Sequence, residues 1–166
     1  MRQLARSGTI LAFVILCSAS SAQDEGKKKS PRRFGFDYDD ITFPQQTPKE
    51  AMTSIAKALE RKKVDYLLAQ LADPAHVDYW VDQYKDDFTL GKEEAKRLLA
   101  FDRLARETTV YFQNDPLIVK DLRAFAKQAE WKEEDGFAIG TVETIPARKV
   151  FLKKIGDRWF LENKQQ

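Results

Sequence analysis

The apolar residues of this chain change their spacing once, near residue 128. Before that point they recur every three or four residues, as in "TPKEAMTSIAKALERKK", which is the period of an amphipathic helix. Beyond it, in "AEWKEEDGFAIGTVE" and "RKVFLKKIGDRWFLE", they alternate with polar residues, which is the period of a strand. Helices followed by strands predict an α+β domain, in which amphipathic N-terminal helices pack on a small antiparallel sheet.

Five helical segments are predicted between residues 47 and 128. The first has the clearest start, because Thr47 can cap it, Pro48 suits its first turn and Glu50 can reach back to the cap. The others are "VDYLLAQLADP", "AHVDYWVDQY", "GKEEAKRLLAFDRLARETTVYF" and "NDPLIVKDLRAFAKQ". The stripes that we expect to be buried are Ala51, Ile55, Ala58 and Leu59; Leu67, Leu68 and Leu71; Val77, Trp80, Val81 and Tyr84; Leu98, Phe101, Ala105, Thr108 and Phe112; and Ile118, Leu122 and Phe125.

Four strand segments follow as two hairpins. Asp135-Gly136 suits the positive dihedral angles of a tight turn, and Gly156-Asp157 suits a turn that begins with glycine. Counting outward from the second turn gives the pairs Ile155–Arg158, Lys154–Trp159, Lys153–Phe160 and Leu152–Leu161. Both faces of this hairpin carry large apolar side chains, so we expect the sheet to be covered on both sides.

The first residues, "MRQLARSGTILAFVILCSASSAQ", have the three-part pattern of a secretory signal peptide. Two arginines precede an apolar stretch over residues 10–17, and small residues lead up to Ala22. We therefore expect cleavage after Ala22 and a periplasmic or secreted protein. A retained membrane anchor is one alternative, although the apolar stretch is shorter than the roughly 20 residues of a spanning helix. Lipidation of Cys17 is another, and the bulky Leu16 before it argues against that.

Cleavage would change the composition in two ways that bear on function. It would remove the only cysteine, so the remaining chain could form no disulfide and no thiolate metal site. It would also remove Arg2 and Arg6 from the 28 basic residues and leave as many basic as acidic ones, of which there are 26. Such a balance argues against a nucleic-acid-binding protein, and no later stretch is apolar enough for a transmembrane span.

Residues 23–46 are predicted to form a polar and aromatic leader to one domain over 47–163, with 164–166 as a tail. Basic residues cluster around its Ser-Pro pair: Lys27, Lys28, Lys29, Arg32 and Arg33. This cluster could contact an anionic envelope surface weakly, or it could be a solvated linker. In "FGFDYDDITF" four aromatic residues are spaced by acids, so we expect this stretch to pack along the domain as an extended arm. An arm that docks to a partner is the alternative.

Two segments carry a family resemblance. "TPKEAMTSIAKALERKKVDYLLAQLADP" resembles the opening of small exported domains, of the uncharacterised bacterial envelope type, in the nuclear transport factor 2-like (cystatin-like, SnoaL-like) superfamily. "KVFLKKIGDRWFLEN" is similar to the last two strands of such domains. The resemblance implies a curved antiparallel sheet wrapped around a long helix, often with a pocket. Residues 89–128 depart from it, because they predict two long helices, which favours a helix-enriched variant or a different α+β topology.

The sequence motifs indicate no catalytic, cofactor-binding or metal-binding residue. His76 is the only histidine, and its position near a helix start is typical of a surface or capping residue. The chain has no G-x-S-x-G turn, no glycine-rich phosphate loop and no H-E-x-x-H helix. The residues that could line a ligand pocket or face a partner are His76, Trp80, Trp131, Phe151, Trp159 and Phe160.

Two hypotheses about function remain open on these grounds. The first is an exported, non-catalytic domain that needs no cofactor and binds a small ligand, a peptide or an envelope partner. The second is a small pocket enzyme of the isomerase, dehydratase or cyclase type, which only the superfamily resemblance implies. Fold alone does not separate them. A carboxylate or a histidine that faces a cavity would favour the enzyme.

Overall fold

The computed structural model of the chain describes residues 32–163. Helices come first and strands last, so the predicted α+β class is confirmed. The elements are α1 (Pro48–Glu60), α2 (Val64–Tyr66), a π-helical turn (Leu67–Leu71), α3 (Pro74–Lys85), α4 (Glu93–Asn114), α5 (Pro116–Gln128), β1 (Glu130–Glu134), β2 (Phe137–Thr141), β3 (Val150–Ile155) and β4 (Arg158–Leu161). The predicted signal peptide, Lys27–Lys29 and the predicted tail lie outside the described residues.

The first helix begins where the sequence predicts and for the predicted reason. The Glu50 backbone N–H donates to Thr47 Oγ1 at 3.2 Å, and the Thr47 N–H donates to Glu50 Oε2 at 3.0 Å. This reciprocal pair is a capping box. Ala51, Ile55 and Ala58 are fully buried, where α1 packs against α5 and β4. α1 therefore joins α5 to the last strand of the sheet.

The second predicted helix is α-helical only over Val64–Tyr66 and continues as a π-helical turn over Leu67–Leu71. The Ala72 N–H donates to the Leu67 carbonyl at 2.8 Å, a spacing of five residues that is typical of a π-helix. The chain then meets the last strand, where the Asp73 N–H donates to the Leu161 carbonyl at 2.8 Å. This contact fixes the start of α3 to the free edge of β4.

α3 and α4 lie side by side and are joined by charged contacts as well as apolar ones. Val77 and Val81 are fully buried, as predicted, and Arg97 Nη2 contacts Asp78 Oδ1 at 3.2 Å. The prediction that Leu98 is buried is wrong, because its side chain is 43% exposed. The first turns of α4 extend beyond the apolar core, so ion pairs rather than apolar packing hold them to α3. Within residues 32–163, no helix combines the length and the apolar character that a membrane crossing requires.

The four strands pair in chain order as an antiparallel meander. Asp135 and Gly136 have φ of 48° and 79°, as the predicted tight turn requires. Gly156 has φ of 64° at the first position of the second turn. The terminal hairpin shows all four predicted pairs, from Leu152–Leu161 to Ile155–Arg158. The turn chemistry has therefore set the register of both hairpins.

The two faces of the sheet differ in how well they are covered. Val150, Leu152 and Trp159 lie on the helix side and are nearly inaccessible to solvent. On the other side Ile155 is 40% exposed and Phe137 is 37% exposed. The expectation that both faces are covered is therefore wrong for this part of the sheet. The segment before α1 contacts the sheet at β4, where the Trp159 N–H donates to the Gln45 carbonyl and Arg158 lies over the Tyr38 ring.

Residues 32–46, called the arm below, pack on the helices and on β4. The Phe34 ring stacks on Phe101 with centroids 4.2 Å apart, and Phe43 is 1% exposed against the Tyr66 ring. The predicted packing of the aromatic residues is confirmed, although the arm is folded through turns rather than fully extended. At its end, the Trp159 N–H donates to the Gln45 carbonyl at 2.9 Å. The arm thus protects the edge of the last strand.

Candidate functional site

A concave groove opens where the start of β3 and the end of β4 face the helices. Its volume is about 550 Å³. Most of its lining is aliphatic or aromatic, and a few polar groups lie among these residues. The helical side consists of Leu67, Leu68, Ala72, His76, Trp80, Leu104, Thr108, Tyr111, Phe112, Ile118 and Leu122, and the sheet side of Lys149, Val150, Phe151, Leu161, Glu162 and Asn163.

α3 places a histidine and a tryptophan on the groove. Asp73 begins the helix by accepting a hydrogen bond from the Ala75 N–H at 3.1 Å. His76 and Trp80 are four residues apart and therefore share one face of the helix. Their ring centroids are 6.4 Å apart. The prediction that Trp80 is buried in the α3 stripe is wrong, because the residue is 36% exposed. The sequence predicted a surface or capping role for His76, whereas the structure places it, half-buried, in the wall of the groove.

One hydrogen bond fixes the direction of the imidazole. His76 Nε2 lies 3.2 Å from Asn163 Nδ2. The amide nitrogen donates, so Nε2 accepts this bond in the tautomer that carries its proton on Nδ1. Besides this pair, the polar residues of the wall are Thr108, Tyr111, Lys149 and Glu162, and its other side chains are apolar or aromatic. Such a wall can hold an apolar body and orient one polar group.

The opposite wall comes from the hairpin of α4 and α5. Asp115 starts α5, since its Oδ1 accepts from the Leu117 N–H at 3.1 Å. Phe125 is buried and anchors the helix to α1 and the core. Ile118 and Leu122, predicted to be buried, are only half-buried because they face the groove. The apolar stripe of α5 therefore serves both the core and the concave surface.

A second aromatic cluster, the Arg158 cluster, lies on the other side of β4 and is closed. It consists of Arg158, Tyr38, Phe160, Gln45 and Gln70. The guanidinium carbon is 3.6 Å from the Tyr38 ring centroid and 4.8 Å from that of Phe160. Arg158 Nε donates to Gln45 Oε1 at 3.0 Å, and Nη2 donates to the Gln70 carbonyl at 2.7 Å. Two aromatic rings, the Gln45 side-chain oxygen and the Gln70 backbone carbonyl thus hold the cation.

Burial dominates the electrostatics of the Arg158 cluster. It lowers the pKa of the Arg158 guanidinium and raises the pKa of the Tyr38 phenol. Gln45 is fully buried, and its Nε2 donates to the Trp159 carbonyl at 2.7 Å. The arginine, the arm and the last strand are thus one hydrogen-bonded unit, in which the cation holds protein groups and stabilises the arm.

The six residues that the sequence singled out separate into two groups. His76, Trp80 and Phe151 line the groove. Trp159 is 3% exposed and Phe160 is 5% exposed, so both are inaccessible to a ligand. Trp131 packs on the glycine opposite it: a Cβ added to Gly140 would lie 2.8 Å from its ring. These last three residues stabilise the sheet.

Arg33, which the sequence placed in a basic cluster for an envelope surface, has an internal role. Its two Nη atoms contact both carboxylate oxygens of Asp78 at 3.2 and 3.0 Å, and Nε donates to the Ala69 carbonyl at 3.2 Å. A guanidinium held in this way by protein groups is not available as a free surface charge. It attaches the start of the arm to α3.

Sequence reasoning missed most of the groove. Phe112 and Leu122 line it, yet their spacing indicated only ordinary helix stripes, and Leu104 and Tyr111 were assigned to no stripe. It also missed Arg158, since nothing in a Gly-Asp-Arg turn reveals that the arm will cover it. Within residues 32–163, no group of three or more histidine, cysteine or acidic residues is arranged to hold a metal ion.

No family model, curated protein or solved structure matches the chain. The resemblance to the nuclear transport factor 2-like superfamily therefore stays a prediction from the two quoted segments. The groove has to be interpreted from its own residues.

Proposed function

We propose that this is an exported binding protein whose groove holds a small molecule with an apolar body. The observation that carries the proposal is the groove itself. At about 550 Å³ it has the size typical of small-molecule sites, which run from roughly 300 to 1,000 Å³. Its lining combines leucine, isoleucine and aromatic side chains with a few polar groups, which is also typical of such sites.

The finer fold assignment belongs to the same proposal. We propose a helix-enriched variant of the nuclear transport factor 2-like fold, in which helices cover one face of an antiparallel sheet. The two quoted segments support it, since they fall on α1 to the π-helical turn and on the β3–β4 hairpin. Domains of that superfamily often enclose a pocket between sheet and helices, where the groove lies in this chain.

A neutral fluorescent probe tests binding directly. Nile red should gain fluorescence with the protein, and Trp80→Ala should weaken its binding about ten-fold, because the indole forms one wall of the groove. Tyr79→Ala is the matched control, since Tyr79 directly precedes Trp80 on α3, is 57% exposed and lies outside the lining. Equal binding by both variants, or no fluorescence gain with the unaltered protein, would contradict the proposal.

Export is tested by mass. Protein recovered from an envelope or medium fraction should begin at Gln23, since small residues precede a site after Ala22. Intact-mass measurement distinguishes this form from a retained N-terminal segment or an acylated Cys17. Either of those forms would refute the predicted cleavage and leave the groove proposal untouched.

A pocket enzyme is a second candidate, because the only histidine of the chain lies in the groove. In an enzyme, His76 would be the base within reach of a bound substrate. His76→Gln keeps a side chain that can hydrogen-bond to Asn163, so it should leave Nile red binding within about three-fold. A substrate that the unaltered protein converts and the His76→Gln protein only binds would establish the enzyme and refute the binding protein.

A further inference from the structure

The groove continues into a second cavity toward the tip of the α4–α5 hairpin. That cavity has a volume of about 470 Å³. Both concavities are lined by the same five residues where they adjoin: Tyr111, Ile118, Leu122, Lys149 and Val150. They are therefore two parts of one elongated cleft that runs from His76 and Trp80 to the start of β3. A compact ligand would fill one part, whereas an extended one would occupy both.

Charged residues line both parts of the cleft, since Glu162 lies in the groove and Lys149 lies where the two parts adjoin. The far end alone is lined by Asp115, Asp121 and Arg148. Asp115 is engaged by α5, whose Leu117 and Ile118 N–H groups donate to its Oδ1. Asp121 Oδ2 contacts Arg148 Nη1 at 2.9 Å. Both carboxylates thus already accept hydrogen bonds from the chain.

Arg148 is the group best suited to an incoming anion. A guanidinium has five N–H donors, and the ion pair with Asp121 engages one nitrogen of Arg148. Its side chain is 43% exposed, so the other donors can be reached from the cleft and from solvent. A carboxylate or phosphate can use two of these donors at once.

We infer, on the basis of the proposed function, that the natural ligand is a free single-chain amphiphile with an anionic head. Its aliphatic tail lies along Ile118, Leu122 and Val150 in the shared middle of the cleft, toward Trp80, and its head is bound by Arg148. The tail is recognised by burial, which depends on length. The head is recognised by charge, which depends on one side chain.

A series of straight-chain carboxylates tests the tail. Hexanoate, octanoate, decanoate and dodecanoate, kept below their micelle concentrations, should displace Nile red. Each added methylene should lower Kd about four-fold, until the tail fills the cleft and the gain stops. A Kd that does not change with length would overturn the inference.

Decanoate and decanol, measured side by side, test the head. Decanoate should bind about ten-fold more tightly than decanol, and Arg148→Gln should abolish this difference without changing decanol binding. Arg123→Gln is the matched control, because Arg123 is an exposed α5 arginine that contacts Glu60 Oε1 at 2.9 Å and lies outside both cavities. Equal affinities for both compounds in the unaltered protein would refute the anionic head.

The outcomes separate this inference from the proposed function. If Nile red binds to the unaltered protein and binds more weakly to the Trp80→Ala protein, the groove is a binding site. Carboxylate affinities that do not change with chain length would then refute the amphiphile alone. If Nile red does not bind, the proposed function fails as well. Co-sedimentation with anionic phospholipid vesicles identifies the other source of such a ligand: stronger binding to vesicles than to free decanoate would overturn the free amphiphile in favour of a membrane surface.

Discussion

The groove and the Arg158 cluster are both rich in aromatic residues and lie on opposite sides of β4, yet one is open and the other closed. In the Arg158 cluster, Tyr38 and Gln45 of the arm cover the guanidinium and hydrogen-bond to the last strand. In the groove, Trp80 and Phe151 keep part of their surface accessible. The two regions differ in whether the chain supplies its own cover.

This difference shows how an aromatic cluster should be interpreted in a chain of unknown function. Large rings gather wherever apolar area can be buried, so their presence does not distinguish core from site. What distinguishes them is whether the chain itself supplies the contacts. Arg158 contacts carbonyl oxygens and two rings of its own chain, whereas the groove is open to solvent. The groove is therefore the surface on which a ligand would gain most.

The largest expected effect compares the same substitution in the two kinds of environment. Phe43→Ala should lower the free energy of unfolding by about 3–5 kcal/mol, because Phe43 is 1% exposed and its removal leaves a cavity under the arm. Phe112→Ala should cost about 1–2 kcal/mol, since Phe112 is half-buried at the groove. Urea unfolding measures both. Equal losses would mean that the arm is not part of the core.

The next effect tests whether the cation in the Arg158 cluster acts through its shape. Arg158→Lys keeps the charge but loses the flat stack on Tyr38 and the shared bonds to Gln45 and Gln70, so unfolding should become easier by about 2–3 kcal/mol. Arg148→Lys is the control at the cleft, where the exposed pair with Asp121 should contribute less than about 1 kcal/mol. Thermal or urea unfolding of both variants measures the two losses of stability. A smaller loss for Arg158→Lys than for Arg148→Lys would contradict the stabilising role of the Arg158 cluster.

Much of the fold could be predicted from the sequence because its determinants are local. The capping box at Thr47 and Glu50 involves residues three apart. The turn at Asp135-Gly136 depends only on the positive φ angles of these two residues. Once the turn at Gly156 is placed, every pair of the last hairpin follows by counting. Patterns of this kind need no knowledge of the rest of the chain.

The groove and the Arg158 cluster could not be predicted, because both depend on contacts between residues far apart in the chain. Arg158 meets Gln45 across 113 positions, and no local pattern links them. Leu98 and Leu122 both lie on apolar stripes with helical spacing, which predicted burial for both. Leu98 is exposed beyond the core, whereas Leu122 lines the cleft. His76 looked isolated only because Asn163, its partner, is 87 positions away.

A third aromatic environment, at Trp131, sharpens the comparison. The Trp131 ring packs against Gly140, which has no side chain. A Cβ at position 140 would lie 2.8 Å from the ring. Gly140→Ala should therefore displace the indole and cost about 1–2 kcal/mol, with Trp131 fluorescence shifted to longer wavelength. Trp131→Leu should relieve most of the cost, which a double-mutant cycle measures. Additive losses would show that the glycine acts independently of Trp131.

The smallest effect concerns Tyr84, which extends the aromatic row of His76 and Trp80 on α3, with its ring centroid 5.7 Å from that of Trp80. The Tyr84 hydroxyl donates to Glu107 Oε2 at 2.7 Å, and this bond, followed by the contact with Arg103, lowers the pKa of the Glu107 carboxyl. A lowered folded-state pKa contributes stability that is fully present above the unfolded value of about 4.3 and is lost as the pH falls through the folded value. Tyr84→Phe should therefore reduce the urea midpoint at neutral pH and reduce it less below about pH 4.

Tyr79→Phe is the control for this pH dependence, because Tyr79 also contacts the Trp80 ring but makes no hydrogen bond through its hydroxyl within the described part of the chain. Its effect on the midpoint should be the same at every pH. If the Tyr84→Phe shift were equally independent of pH, the hydroxyl would not be stabilising the charged form of Glu107. The row on α3 would then be held by ring packing alone from the groove to its far end, and Tyr84 would belong with Trp80 rather than with the charged contacts between α3 and α4.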